Sequence, residues 1–325
     1  MRVLVAGGAG YVGSHACKAL AEAGYEPVTY DNLVFGHADA VKWGPLEIGD
    51  VLDAERLDEV FTRHRPDVVM HFAAFAYVGE SVTDPSKYYR NNITGSISLL
   101  DAMRRNGVDK IVFSSTCATY GVPETLPISE DTPQAPINPY GYTKLVVERA
   151  LADYERAYGI KWAAMRYFNA AGCDPDGELG ERHDPETHAI PLAIHAALGS
   201  GPRFSVFGTD YATPDGSAIR DYVHVCDLAT AHVKAIPHLA NGGESRAYNL
   251  ATGRGTSVIE LLKSVEKAVG RPVPADYAPR RAGDPPALFA VAEAANRILD
   301  WSPRYTDIDE TVATAANWFM RRHNA

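Results

Sequence analysis

Tyr140 and Lys144 stand four residues apart in a stretch that opens with Asn138-Pro139. On a helix the two side chains share one face. A free phenol has a pKa near 10, and a neighbouring ammonium favours its ionised form. Such a pair suits removal of a proton from an alcohol while hydride leaves the same carbon. The spacing alone is a weak signal, since 17 tyrosines and nine lysines produce such pairs by chance. Thr116 adds a third group. It ends the run Phe113-Ser114-Ser115-Thr116, after what reads as a buried strand. A hydroxyl there faces the carboxyl ends of a sheet, where ligands bind in open α/β folds.

Hydride needs an acceptor, and the N-terminal segment offers a place for one. Gly7-Gly8-Ala9-Gly10-Tyr11-Val12-Gly13 fits GxGxxG through Gly8, Gly10 and Gly13, and GxxGxxG through Gly7, Gly10 and Gly13. Missing side chains allow a tight strand-to-helix turn and close approach of a pyrophosphate, with a helix N-terminus pointing at its charge. Asp31, 18 residues after Gly13, ends the next apolar run. A carboxylate there accepts bonds from an adenosine ribose and repels a 2′-phosphate, which favours NAD over NADP. Asp50 follows a third short strand and reads either as a group reaching the adenine edge or as a turn aspartate.

These groups must be carried by a regular frame. Residues 2–6, 26–30, 67–72, 110–114 and 161–167 read as strands, and residues 11–23, 53–64, 85–106 and 139–158 as helices. Asn138 supplies a cap and Pro139 a first-turn proline for the last of these. Strand alternating with helix predicts an α/β fold, a Rossmann-like doubly wound parallel sheet. After residue 170 the rhythm breaks at a glycine- and proline-rich stretch. Helices are expected at 190–198, 225–238, 258–269 and 308–322, in a smaller C-terminal α/β substrate lobe. The division expected is residues 1–170 and 171–325, with a soft boundary because later strands can return to the first sheet.

Composition narrows the partners. The 325 residues carry a net charge of -10, which argues against nucleic acid, whose phosphates require a basic face. A small phosphorylated ligand needs only a local arginine cluster. No run of 18 apolar residues predicts a membrane span, and the short apolar start, followed at once by glycines, reads as a strand and not a leader. Cys17, Cys117, Cys173 and Cys226 have no paired spacing, so no disulfide framework and no metal site is expected. Reduced thiols fit a cytoplasmic protein.

The Gly7 loop, Asp31, Thr116, Tyr140 and Lys144 together resemble the extended short-chain dehydrogenase/reductase family. Further segments resemble its NAD-dependent UDP-sugar 4-epimerase branch along essentially the whole chain. They are His71-Phe72-Ala73-Ala74, Gly79-Glu80-Ser81, Ser114-Ser115-Thr116-Cys117-Ala118-Thr119-Tyr120-Gly121, Arg166-Tyr167-Phe168-Asn169, Arg220-Asp221-Tyr222-Val223-His224-Val225, Tyr248-Asn249-Leu250 and Arg280-Arg281-Ala282-Gly283-Asp284. The resemblance implies an isomerase that retains NAD and interconverts UDP-glucose and UDP-galactose through a 4-keto intermediate. Tyr140 would take the 4-hydroxyl proton, Lys144 would tune Tyr140 and hold the nicotinamide ribose, and Thr116 would bond the 4-oxygen. Cofactor contacts would come also from Gly7, Gly10, Tyr11, Val12, Gly13, Asp31, Asn32, Asp50, Val51, Phe72, Ala73, Asn91 and Tyr167. Asn169, His188, Phe207, Arg220, Arg281 and Asp284 would hold the substrate, with the sugar loose and the UDP tight. A homodimer through helices 85–106 and 139–158 is implied as well.

Two positions depart from the pattern. Ala76 stands where many relatives have a cofactor-binding lysine, and Leu288 falls near the position that sets sugar-pocket size. The segments Ala76-Tyr77-Val78-Gly79 and Cys117-Ala118 resemble a branch that includes pentose-linked 4-epimerases. Nucleotide-sugar dehydratases and decarboxylases carry acidic residues just after the active-site threonine, where this chain has Cys117 and Ala118. A non-catalytic NAD-binding redox sensor would need the glycine loop but not the tyrosine, lysine and hydroxyl set. An exchanging dehydrogenase would release reduced cofactor in every cycle.

Overall fold

A computed structural model describes residues 1–281 and 284–323. Seven parallel strands form the central sheet: β1 (Arg2–Ala6), β2 (Glu26–Asp31), β3 (Leu46–Ile48), β4 (Val68–His71), β5 (Lys110–Ser114), β6 (Lys161–Tyr167) and, returning late in the chain, Arg246–Leu250. Their order across the sheet is Arg246–Leu250, β6, β5, β4, β1, β2, β3. The chain reverses its direction of winding between β1 and β4. Ligands of open α/β sheets bind at such a switch point, outside the carboxyl ends of the strands.

The strands are apolar on both sides because both faces are covered. In β1, Val3 and Val5 point into one core while Leu4 and Ala6 point into the other. The first core lies under α1 (Tyr11–Glu22), and the second under α2 (Ala54–His64). Asp53 caps α2 by accepting the Arg56 amide at 3.0 Å. Each such fully buried aliphatic side chain stabilises the fold by about 1.5–3 kcal/mol.

The segment expected as one helix over residues 85–106 is broken. After α3 (Val78–Thr83), the chain forms α4 (Pro85–Tyr88), a π-helical turn at Tyr89–Thr94, and α5 (Gly95–Arg105). The cause is tertiary. The Asn92 side chain leaves the helix to bond the Phe75 backbone in both directions, at 2.9 and 3.0 Å, and meets Thr143 at 3.2 Å. Thr143 belongs to α6 (Pro139–Tyr158), which begins where Asn138 accepts the Gly141 amide at 2.8 Å and ends at left-handed Gly159.

Beyond β6 the chain moves between layers. β7 (Asn169–Ala171) pairs with β10 (Tyr222–His224), and α7 (Ala189–Leu198) leads into β8 (Phe204–Phe207). β9 (Ile219–Arg220) joins a small sheet with β12 (Thr256–Ser257) and β14 (Ala287–Leu288). α8 (Val225–Ala240) packs on α1 under the main sheet, and β11 (Arg246–Leu250) is that sheet's seventh strand. α9 (Val258–Val269), β13 (Ala275–Ala278) beside β8, and α11 (Ile308–His323) enclose a third core with α7. The short α10 (Glu293–Leu299) returns to the first core. Residues after 170 therefore contribute to the main sheet and first core as well as to the third core.

Candidate active site

The loop from β1 to α1 lies at the switch point. Gly7 has φ +82°, and a Cβ added there would come within 2.5 Å of the Ala73 amide nitrogen. A Cβ on Gly13 would lie 2.1 Å from the Gly7 carbonyl oxygen. The frame through Gly7, Gly10 and Gly13 is thus the one with the sharper steric demand. Gly10 caps α1 with no side chain, and no acidic residue occupies the first turn, so the amides of Tyr11, Val12 and Gly13 present partial positive charge. Asp31 reaches the loop from the end of β2, accepting the Ala9 amide at 3.0 Å and the Leu33 amide at 2.8 Å. Burial pushes its pKa upward against the pull of these amides.

The donor set and the shape fit a dinucleotide. Asn32 donates to Asp50 at 3.0 Å, and Asp50 also takes the Leu52 amide, so both stand together at the edge beyond β2. Val51 is buried against the Cα of Gly95. The amides of Phe72 and Ala73 bond the Ala6 carbonyl, which brings that backbone against Gly7. The Phe72 ring itself packs 4.7 Å from the His232 ring, so it is the backbone of Phe72 that borders the loop. Asn91 sits in the π turn and donates to Asn92 at 3.0 Å.

Thr116, Tyr140 and Lys144 come together after β5. Thr116 caps the turn Cys117–Thr119 by accepting the Ala118 amide at 3.1 Å. Tyr140 stands in the first turn of α6, beside Thr116. Burial pushes its phenol well above its ordinary pKa, nearby Tyr167 adds to this, and the Thr116 side chain draws it back. Tyr167 in turn bonds the Ser114 hydroxyl at 2.7 Å. Lys144 is buried and donates to the Ser114 carbonyl at 2.7 Å. Burial brings its pKa down to about 7, against the pull of Glu148. The ammonium is thus directed to the backbone of β5.

Of the residues expected on substrate, Arg220 pairs with Asp284 and Arg281 with Phe207, while Asn169 and His188 are bonded elsewhere. The Arg220 guanidinium donates to Asp284 at 2.9 Å and to the Pro285 carbonyl at 3.0 Å. It also acts on the Cys117 thiol, which burial nevertheless pushes up to about 12. Arg281 lies over the Phe207 ring, 3.8 Å from its centroid. Within the same motif, Ala282 and Gly283 lie outside the described residues. Asn169 is exposed at the start of β7, its amide bonded to the Asp221 carbonyl. His188 precedes α7 without capping it by its side chain and is instead bonded through Nδ1 to Glu181.

One network escaped the sequence reading. Glu148, on α6 one turn past Lys144, is buried and accepts four bonds. They come from Arg166 Nε at 3.0 Å and Nη2 at 2.6 Å, Ser115 Oγ at 2.5 Å and Gln134 Nε2 at 2.9 Å. Arg166 also donates to the Tyr120 hydroxyl at 2.9 Å, which bonds Asn249 at 2.6 Å. This network clamps β5, β6, β11 and α6 immediately behind Thr116. Its signal was the spacing Tyr140, Lys144, Glu148, which continues one helical stripe.

A family model described as the NAD dependent epimerase/dehydratase family matches residues 3–251. The UDP-glucose 4-epimerase of Rhizobium meliloti (strain 1021) is 55% identical over 321 residues, covering 99% of this chain and 98% of that protein. The crystal structure of UDP-glucose 4-epimerase from Brucella ovis in complex with NAD superposes with a TM-score of 0.96 at 56% identity, covering 98% of each chain. That of a UDP-glucose 4-epimerase from Stenotrophomonas maltophila with bound NAD and formylated UDP-arabinopyranose gives a TM-score of 0.96 at 39% identity, covering 100% of this chain and 99% of that one.

Proposed function

Because this chain belongs to the NAD dependent epimerase/dehydratase family, we propose that it is an NAD-dependent 4-epimerase of UDP-sugars, interconverting UDP-glucose and UDP-galactose. The observation that carries the reading is the juxtaposition of Tyr140 and Thr116 in a chain whose first loop is shaped for a dinucleotide. NAD+, when bound there, supplies a hydride acceptor for C4 of the sugar. Thr116 holds the 4-oxygen and Tyr140 takes its proton. A phenol whose pKa is raised by burial is a strong base once ionised. Lys144 fixes the end of β5 that carries Thr116 through the Ser114 carbonyl.

Inversion requires that the keto sugar present its other face before the proton and hydride return. Arg220, Arg281, Asp284 and Phe207 support a tight grip on the diphosphate and uridine, leaving the sugar free to turn. Arginine forks suit diphosphate because they donate two bonds at once. After Thr116 come Cys117, whose thiol keeps its proton at neutral pH, and Ala118, which has none to give. That argues against water elimination and decarboxylation, which need an acid or base there. Pentoses are a second reading. Leu288 is aligned with Arg220 across β14 and β9 and packs, as Cys117 does, against the cluster of Tyr120, Ile128 and Phe168, a wall compatible with a small sugar.

Turnover of UDP-galactose by the native chain and by Tyr140→Phe tests the reading. The variant loses about 100-fold or more, the usual worth of a positioned base; equal rates would remove Tyr140 from the mechanism. We also place the protein in the cytoplasm, where its four free cysteines stay reduced, and no described helix is long and apolar enough to cross a membrane. A homodimer through residues 85–106 and α6 is supported by exposed Tyr89 and Tyr142, whose rings meet at 6.3 Å, and by exposed Tyr158. Sedimentation as a monomer at micromolar concentration would refute the dimer.

A further inference from the structure

Residues 181–188 place four potential ligands on one short loop before α7: Glu181, His183, Glu186 and His188, in the order E-x-H-x-x-E-x-H. One donor atom from each lies within 4.8 Å of all the others. Glu181 Oε1 is 3.2 Å from His183 Nδ1 and also bonds His188 Nδ1, while His183 Nδ1 is 3.7 Å from Glu186 Oε1. Ligands held tetrahedrally about 2.0–2.1 Å from a zinc-like ion stand about 3.3 Å from each other. The cluster is therefore close to the required size without a bound ion.

Two features show that hydrogen bonding alone leaves the cluster incomplete. His183 Nδ1 is buried and stands 3.2 Å from Glu181 Oε1 without forming a well-directed hydrogen bond. Glu181 is 2% exposed, yet its described charged partners are these two imidazoles and not a lysine or arginine. Buried carboxylates are rarely left without a fixed cation. Arg182, between them in sequence, turns outward to Asp39.

We propose that Glu181, His183, Glu186 and His188 bind one divalent transition metal ion, of the zinc class, through two imidazole nitrogens and two carboxylate oxygens. Mixed nitrogen and oxygen ligands in a four-coordinate arrangement favour zinc-like ions over calcium or magnesium, which take six or more oxygens. The cysteine spacing gave no sign of it, because no cysteine takes part. The site is a staple. His183 packs edge-on against Tyr11, the first residue of α1, and against Tyr77, whose hydroxyl donates to the Pro185 carbonyl at 3.2 Å. Metal binding would fix this loop over the dinucleotide loop.

The test reads metal and not turnover, so its failure is separate from failure of the epimerase reading. The purified cofactor-bound protein is incubated with Zn2+, desalted, and analysed by mass spectrometry for metal, alongside His183→Gln and Arg182→Ala. About one zinc per chain is expected in the native protein and in Arg182→Ala, and at least about tenfold less in His183→Gln. Equal zinc in the native chain and His183→Gln, or none in the native chain, overturns the proposal. Should His183→Gln fail to fold, the native protein loaded with Co2+ decides: intense visible absorption of a four-coordinate ion supports the site, and its absence overturns it.

Discussion

Replacing Glu148 by glutamine removes one charge from the densest polar network in the molecule while keeping its shape. The native carboxylate accepts two bonds from Arg166 and one each from Ser115 and Gln134. Both partners of the ion pair are buried, with side chains 5% and 8% exposed. The amide offers one acceptor oxygen and turns two hydrogens toward donors, leaving the guanidinium without its counter-charge. Breaking a buried pair from one side costs about 3–5 kcal/mol. For a chain of this length each kcal/mol moves the melting temperature by about 1.5 °C, so a fall of about 4–8 °C is expected by scanning calorimetry. Arg166→Met should cost a similar amount, and the double variant should cost less than the sum by about 1–3 kcal/mol, because the two changes remove one shared interaction. A second readout is Lys144, whose pKa Glu148 draws upward. In Glu148→Gln its ammonium should therefore titrate lower than in the native chain, followed by NMR of labelled lysine. A variant as stable as the native protein, with costs that simply add, would refute the claim that this pair is buried and mutually dependent.

Lys144 carries a cost of its own. Its pKa falls from 10.5 to about 7 on folding, chiefly through burial, so the unfolded chain holds this proton more tightly than the native one between those values. The sign is that of a depressed amine: the penalty is largest at and below pH 7 and fades as pH rises toward 10.5. Lys144→Met should lose activity yet gain about 2–5 kcal/mol in urea unfolding at pH 6.5, with the gain shrinking by pH 9.5; an unchanged or growing gain would contradict it. Gly13→Ala sets a methyl 2.1 Å from a backbone oxygen, so the cofactor loop must move. Calorimetric titration should show NAD bound about tenfold to 100-fold more weakly, at a cost of about 1–3 kcal/mol, and native-like affinity would show that the loop does not need glycine there.

What was legible in the chain was what neighbouring residues decide between themselves. Asn138 and Pro139 open α6 and Gly159 closes it, as local capping rules require. The apolar runs of β1, β5 and β6 read as strands, and so they are. The glycine loop was legible too, because Gly7 needs a positive φ and Gly13 would meet the Gly7 carbonyl only six residues away. What was not legible depends on partners far along the chain. The periodicity of residues 85–106 is helical throughout, but Asn92 finds the Phe75 backbone and Thr143, and the helix yields to a π turn. Such turns recur at functional sites, and here it carries Asn91.

The same distinction explains the charges. Spacing places Tyr140, Lys144 and Glu148 on one stripe, but it does not say whether the stripe meets water. An acid in the middle of a helix ordinarily faces solvent. Glu148 is buried because Arg166 arrives on the adjacent strand β6, 18 residues later, with a fork that fits a carboxylate. Lys144 follows from this: with its i+4 neighbour committed to Arg166, the ammonium finds its partner in the Ser114 carbonyl and not in an acid or in Tyr140. The chemistry at Thr116 and Tyr140 is thus positioned by a polar clamp whose members each look unremarkable alone. In this fold, a motif read from sequence names the groups that react, and long-range pairing of buried charges determines where those groups stand and which of them hold their protons.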